Sequence, residues 1–307
     1  MAFLLATIGE LLWDVYKERR YIGGSPANVA IHVRQTGADV LLISRIGPDQ
    51  AGDELIDALR ARDLDMVGVQ RDPLAATGQV QITVAPDGTP AFRCSATAAF
   101  DGLCEEPAWK PWASEVKAVY FTARGSRHPR AAAAIIEFLR SAPQAVKFFD
   151  ANFSTWNADT ARLVDACLNA CDIAKFNSDE MHRLMQGWGS RETEPAFARW
   201  LLEQYRLKLV IITNGADGCL VTSPNGVIEQ QGYPVAVKDT TGCGDAFAAA
   251  FLLQYVRGQK LDDIVNRANA LAAFVATREG AVPPWRGEDL DRVMAGRTGA
   301  GQWLSSE

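Results

Sequence analysis

Histidine is scarce, with three in 307 residues, so a site built from several imidazoles is not expected. Six cysteines give no metal pattern. Cys167 and Cys171 lie four apart in a helical-looking stretch, with no second pair and no histidine near them, and they read as buried thiols. Nothing calls for disulfides, so a reducing compartment, the cytoplasm, is the expected location. Long basic runs are missing too. The formal net charge is -6, and the clusters Lys17 to Arg20 and Arg124 to Arg130 are short and interrupted. Neither nucleic acid nor an anionic membrane is therefore an expected partner. No apolar run approaches the length of a membrane span. Met1 to Ile8 is apolar but lacks a basic flank and a small-residue cleavage site, so it reads as a first buried strand. Internal repeats and low-complexity segments are absent. So are two nucleotide signatures: no Gly-Lys-Ser/Thr completes a Walker loop, and no Gly-x-Gly-x-x-Gly follows the first strand. The second absence counts against a dinucleotide-dependent oxidoreductase.

What is present suits one large domain with a substantial core, at 48% hydrophobic and 22% charged residues. Strand-like and helix-like stretches alternate through the chain. Strands are expected at 3–9, 39–46, 116–123, 146–151, 173–176, 207–213 and 219–222. Helices are expected from Asn28 to about Gln35, ended by Gly37, then through Arg62, at 131–140 and at 261–278. Such alternation predicts an α/β fold with a largely parallel sheet flanked by helices. Two stretches depart from it. Lys17 to Ile22 reads as a short hairpin, and between Thr77 and Phe100 the apolar period shifts to two around Pro86-Asp87-Gly88-Thr89, a strong hairpin signal.

One stretch concentrates the chemistry. Tyr233 to Lys238 is valine-rich and reads as a strand. Asp239-Thr240-Thr241-Gly242-Cys243-Gly244-Asp245 follows, and Ala246 to Val256 reads as an apolar helix. The glycines thus sit where a strand hands over to a buried helix. Amides at a helix start lack internal partners and lie at the positive end of the dipole, so the turn can hold an anion. Asp245 would repel that anion unless its task is to take a proton. An anion held by the amides of Gly242, Cys243 and Gly244, with a carboxylate beside it, suits phosphoryl transfer to a hydroxyl. A plain strand–turn–helix junction, with the aspartate as a cap, would show the same short motif.

The longer string, Asp239 to Phe247, resembles the C-terminal signature of the ribokinase-like (PfkB) carbohydrate kinases. A second anchor, Gly23-Gly24-Ser25-Pro26-Ala27-Asn28-Val29-Ala30, lies far upstream in the place the family has it. The resemblance implies a single ribokinase-like α/β domain over 1–307, with segments 14–22 and 77–100 forming a small β lid over the sugar. Phe92 and Phe100 are the lid residues it suggests. In the family such lids often pair with another subunit, so a homodimer is one expected assembly. The implied activity is ATP-dependent phosphorylation of a small sugar, Mg2+ neutralising the ATP phosphates and Asp245 acting as general base. Fructose is the first substrate expected. A 2-keto-3-deoxygluconate kinase, a ribokinase or nucleoside kinase, and a catalytically silent sugar-binding regulator remain alternatives.

The resemblance also assigns roles to single residues. Asp14, Gly24 and Asn28 would hold sugar hydroxyls, with Phe100, Arg124 and Asn152 near the substrate. Asn177, Thr213, Gly215, Gly218 and Asn269 would bind ATP, and Glu180 would reach Mg2+ through water. Asn177 and Glu180 also have the spacing of a capping box. Asp239 and Thr241 fit a potassium site that ribokinase-like enzymes can carry. Gly47, Asp49 and Gly52 read as structural residues of a turn. The chain departs from relatives at Ser25-Pro26, where ribokinase has lysine and glycine, at Arg124 near a ribokinase glutamate, at Ser154 where fructokinase-like members have arginine, and at Pro284 where ribokinase has serine.

Overall fold

The structure is a computed structural model and describes residues 4–84 and 90–296. The Pro86 to Thr89 turn, the Phe92 side chain and the tail after Arg297 lie outside the described residues. The chain divides into two compact units, residues 1–145 and 146–307.

The first unit runs β1 (Leu5–Ile8), β2 (Leu12–Val15), β3 (Arg20–Gly23), α1 (Ser25–Arg34), β4 (Val40–Ile46), α2 (Gln50–Arg60), β5 (Val69–Arg71), β6 (Gly78–Val84), β7 (Pro90–Cys94), α3 (Trp109–Glu115), β8 (Ala118–Thr122) and α4 (Pro129–Ser141). Strands β8, β1, β4 and β5 pair in that order, all parallel. β1, β4 and β8 are buried along their whole length, as expected where both faces of a parallel sheet are covered. Strands β3, β2, β6 and β7 form a separate four-stranded sheet. Its apolar face gathers Leu12, Val80 and Ile82 with Ala98 and Phe100. Alternation of period two here, against continuous burial in β1 and β4, is what distinguishes the two sheets in sequence.

The turn before α2 is held together by one carboxylate. Asp49 caps the helix by accepting from the Gly52 amide at 2.9 Å and also accepts from the Thr77 amide at 2.8 Å. Burial works against ionisation of Asp49, but the Thr77 and Gly52 hydrogen bonds outweigh it and lower its pKa. Gly47 and Gly52 admit no Cβ against the backbone beside them. These residues have ample structural work.

The second unit runs β9 (Val146–Asp150), α5 (Ala158–Ala170), β10 (Ile173–Asn177), α6 (Ser178–Gly187), α7 (Glu194–Gln204), β11 (Leu209–Thr213), β12 (Cys219–Ser223), β13 (Gly226–Gln230), α8 (Cys243–Val256), α9 (Leu261–Ala276) and α10 (Gly287–Ala295). Strands β9, β10 and β11 are parallel, and β12 and β13 extend the sheet antiparallel. Helix α8 buries every residue from Ala246 to Leu253 and packs against α9. That explains its lack of any polar face.

The structure corrects one expected element. Tyr233 to Lys238 is not a strand. Pro234 has no N–H to give a ladder, and the Lys238 and Asp239 amides both turn to the Ala276 carbonyl at the end of α9. The segment is a strap along that helix instead of a strand in the sheet.

Candidate functional site

Helix α8 begins three residues earlier than its apolar run suggests, at Cys243, with Gly242 as its N-cap in a left-handed conformation (φ 76°). No side chain caps this end. The Cys243 amide donates to the Thr240 carbonyl at 3.3 Å, so of the three amides expected to face an anion this one already closes a turn. Among the described residues the Gly242 and Gly244 amides have no such bond. Asp245 is the third residue of the helix and half-buried, and therefore not the cap of the simple junction reading.

Asp239 ties this turn to its neighbour. Its Oδ1 accepts from the Thr241 amide at 2.9 Å and its Oδ2 from the Gly280 amide at 3.0 Å. Both oxygens of the residue suggested for potassium are thus engaged by backbone.

A cavity of about 440 Å³ opens beside the α8 start. All five residues expected to meet ATP line it: Asn177, Thr213, Gly215, Gly218 and Asn269. Cys243 and Gly244 border it from the helix. Away from that end the wall becomes apolar, with Tyr233, Val235 and Val237 of the strap facing Ala272, Ala273 and Ala276 of α9. Gly218 (φ 97°) leaves no room for a Cβ against the backbone at 230–232, which holds the loop close to the strap. Asn269 donates to Cys219 Sγ at 3.5 Å. Burial pushes the Cys219 thiol up to about 12. Burial, together with the Asp239 and Asp245 charges, does the same for Cys243. Both thiols stay protonated at neutral pH.

The polar end carries a buried charge cluster whose lysine the sequence reading passed over. Lys175 of β10 and Asp150 of β9 are register partners, and the ammonium lies 3.0 Å from each carboxylate oxygen. Each side chain is 5% exposed. Burial works against the Lys175 charge, but Asp150, Glu180 and Asp245 outweigh it and raise its pKa. Asn177 and Glu180 make the capping box at the α6 start, each side chain accepting the other's amide at 2.8 Å. Burial, then the Asp150 charge, pushes Glu180 up to about 7.

That shift has a stability consequence. Below an ordinary value of 4.5, Glu180 is protonated whether the chain is folded or not. As pH rises from there to about 7, the unfolded chain gives up the proton and the folded one keeps it, so stability is lost. Glu180→Gln removes this titration and keeps an oxygen for the Asn177 amide. The melting temperature of the metal-free variant, relative to wild type, is expected to be more favourable at pH 8 than at pH 5. Equal differences at the two pH values would contradict the assignment.

The sugar-side candidates of the first unit are only partly gathered. Asp14 of β2 lies over Gly23, where a Cβ would come within 2.5 Å of its Oδ2. Gly24 is the N-cap of α1 (φ 97°) and Asn28 is buried in the first turn of that helix. A buried carboxylate missed in sequence, Glu10, anchors this turn by accepting from Thr122 Oγ1 at 2.7 Å and from the Ser25 amide at 3.4 Å. Phe100 is 3% exposed in the core of the small sheet, and the Arg127 guanidinium covers its ring at 4.8 Å. Arg124 donates to Cys94 Sγ at 3.0 Å. Phe100 and Arg124 border one small pocket together with Leu12, Gln79 and Cys94. In the second unit, Asn152 follows β9 in a left-handed conformation (φ 39°), a strained backbone of the kind found near functional loops.

Comparison with known proteins gives the following. The model of the pfkB family carbohydrate kinase matches residues 6–286. A probable fructokinase-5 of Arabidopsis thaliana is 27% identical over 306 residues, covering 91% of this chain and 93% of its own. An uncharacterized sugar kinase of Pyrococcus horikoshii, solved in complex with ATP, is 25% identical with a TM-score of 0.80, over 94% of this chain and 100% of its own. A candidate ribokinase II from E. coli, solved with ATP and Mg2+, superposes with a TM-score of 0.85 at 24% identity, over 95% and 99% of the two chains.

Proposed function

The chain belongs to the pfkB family of carbohydrate kinases, and from that premise we propose that it transfers the γ-phosphoryl group of ATP to a hydroxyl of a hexose, fructose first, with Asp245 as general base. One observation carries the reading. Asp245 stands in the first turn of α8, beside the cavity-lining Gly244 and two amides that no other described group uses. Around it are the elements phosphoryl transfer needs: donors for the charge on the moving group, an acceptor for the hydroxyl proton and an apolar slot for a base.

In the reaction the sugar hydroxyl gives its proton to the Asp245 carboxylate while its oxygen bonds to the γ-phosphorus. The bond from that phosphorus to the bridging oxygen breaks, and ADP leaves with the electron pair. The Gly242 and Gly244 amides stabilise the equatorial oxygens. The adenine fits the apolar end between the strap and α9. Asp14, Gly24 and Asn28 orient the sugar. Mg2+ keeps waters and binds mainly through phosphates plus one or two carboxylates, here Glu180 through water. When bound it neutralises phosphate charge. A monovalent cation beside Asp239 and Thr241 belongs to the same reading.

Arg127 is paired with Asp101 at 2.7 Å and Arg124 is bonded to Cys94, whereas Arg93 is exposed, so sugar acids and phosphosugars stay in the screen beside neutral sugars. An ADP-release screen over hexoses, pentoses, sugar acids, phosphosugars and nucleosides should give fructose the largest kcat/KM. A larger value for a sugar acid, phosphosugar or nucleoside would replace the substrate, and ATP consumption with none of them would overturn the kinase reading.

A further inference from the structure

The second unit holds a cavity that the phosphoryl-transfer reading leaves unused. Its volume is about 510 Å³, within the range of about 300–1,000 Å³ usual for small-molecule sites. It lies where the end of α8, the start of α9 and the end of α10 meet. Among the described residues it shares no lining side chain with the cavity beside Gly244. Gln254 and Gln259 border it, with Asp263, Asn266 and Arg267 of α9 and Met294 of α10. Asp263 and Arg267 are four residues apart on one helix, the spacing at which opposite charges ordinarily pair. They do not pair. Among the described residues Arg267 reaches only Asp291, at 4.0 Å, and that carboxylate is 64% exposed. The side chains of Gln254, Gln259 and Asp263 make no hydrogen bond among the described residues. A cation, an anion and two carboxamides thus open onto one space with their bonding capacity unused. Asn266 sets this space apart from ordinary wet surface. Its Oδ1 accepts from the Tyr233 hydroxyl, and Tyr233 is a 4% exposed residue of the strap that walls the other cavity. One carboxamide therefore touches both spaces.

We propose that this cavity is a regulatory site for a small hydroxylated anion, a sugar phosphate or a sugar acid, coupled to the nucleotide cavity through Asn266 and Tyr233. Arg267 takes the anionic group, its planar fork matching a phosphate or a carboxylate. Asp263 accepts from hydroxyls, and the Gln254 and Gln259 carboxamides both donate to them and accept from them. Met294 offers a polarisable apolar patch to the C–H face of the ligand. The mixed charge selects this class. Asp263 would repel a bare anion, and a neutral polyol would leave Arg267 without a partner. A ligand oxygen that accepts from Asn266 Nδ2 fixes the carboxamide with its oxygen toward Tyr233. The strap is steadied, and nucleotide binds more tightly. Linkage requires the converse, that nucleotide tightens the anion by the same factor. The coupling rests on the nucleotide reading of the first cavity, whereas the anion site does not.

The test is calorimetry on the whole chain. The probes are glucose 6-phosphate and gluconate, with sorbitol and inorganic phosphate as the neutral-polyol and bare-anion controls. One of the two hydroxylated anions is expected to bind about tenfold more tightly than either control, and the tighter of the two identifies the source. Arg267→Gln should weaken it about 10- to 100-fold, the range for losing hydrogen bonds to a charged group. Gln259→Ala should weaken it about 2- to 10-fold, the range for a neutral one. Both positions reach solvent, so the variants should melt as wild type does. Saturating anion should tighten a non-hydrolysable ATP analogue with Mg2+ about fivefold. Tyr233→Phe, which removes only the hydroxyl, should abolish that gain while the anion still binds. No binding of either hydroxylated anion would overturn the proposal. So would equal affinity in wild type and folded Arg267→Gln, since binding at the sugar-side turn would not depend on Arg267. An analogue affinity that saturating anion leaves unmoved would overturn the regulatory role. Wild type that binds no nucleotide would sink the nucleotide reading, and Arg267-dependent anion binding would then still support the site.

Discussion

Asp245→Asn should lower kcat by about 10²- to 10⁴-fold, the usual contribution of a positioned general base, with nucleotide affinity unchanged or slightly improved. The substitution is nearly isosteric, and Asp245 is half-buried in the first turn of a helix whose cap is Gly242, so the fold should survive. An amide cannot accept the hydroxyl proton. It also removes a negative charge that would repel the γ-phosphate, which is why binding need not suffer. The loss corresponds to roughly 3–5 kcal/mol of transition-state stabilisation. A proportional rise in KM for ATP instead of a fall in kcat would mean that Asp245 organises nucleotide and does not take the proton.

Gly242→Ala should be the most damaging small substitution in the site. Gly242 has φ 76°, a conformation that costs an alanine roughly 1–2 kcal/mol. Its Cβ would lie within 2.5 Å of the Ala281 Cα, and overpacking of that kind costs about 1–3 kcal/mol more. The contact is with backbone, so no rotamer change relieves it. Relief requires the 239–242 turn and the loop at 280 to separate, and these are the two segments that the Asp239 carboxylate clamps. We expect a melting temperature lower by about 5–15 °C and at least a 10²-fold loss of kcat/KM, because a shift of about 1 Å in the anion-facing amides is enough for that. A variant with wild-type melting and turnover would show that the turn does not need a left-handed residue.

The parts of this molecule legible in sequence are those where backbone geometry demands a residue type. Gly242 and Gly218 are examples: both have positive φ and neither has room for a Cβ. Patterning was equally informative for β1 and β4, continuous apolar runs in a covered parallel sheet, and for β6, where Val80 and Ile82 face the small core. The strap at 233–238 was misread because valines suggest a strand, whereas Pro234 and the Ala276 carbonyl decide where the amides go. The burial of Phe100 was not legible, because an aromatic beside a lid can face a ligand or the core and only its neighbours distinguish these.

Lys175, its pairing with Asp150, and Glu10 were hidden for a different reason. Their partners are distant in the chain, and a charged residue in a short strand looks like an edge position. The available signal was weak. Lys175 lies between Ala174 and Phe176 in a strand otherwise free of charge, and a lone cation there must be buried with a partner. The buried Arg45–Asp72 pair, at 2.8 Å, is a reminder that such partners are often purely structural. Lys175 differs in opening onto a cavity.

The most direct test of the central claim is a single-turnover experiment. Enzyme in excess is loaded with γ-labelled ATP, Mg2+ and fructose, and label on the sugar is followed after rapid quenching for wild type and Asp245→Asn. Fast transfer by wild type, with transfer by the fully loaded variant about 10²- to 10⁴-fold slower, is the predicted result. Equal transfer rates in the two proteins would contradict it.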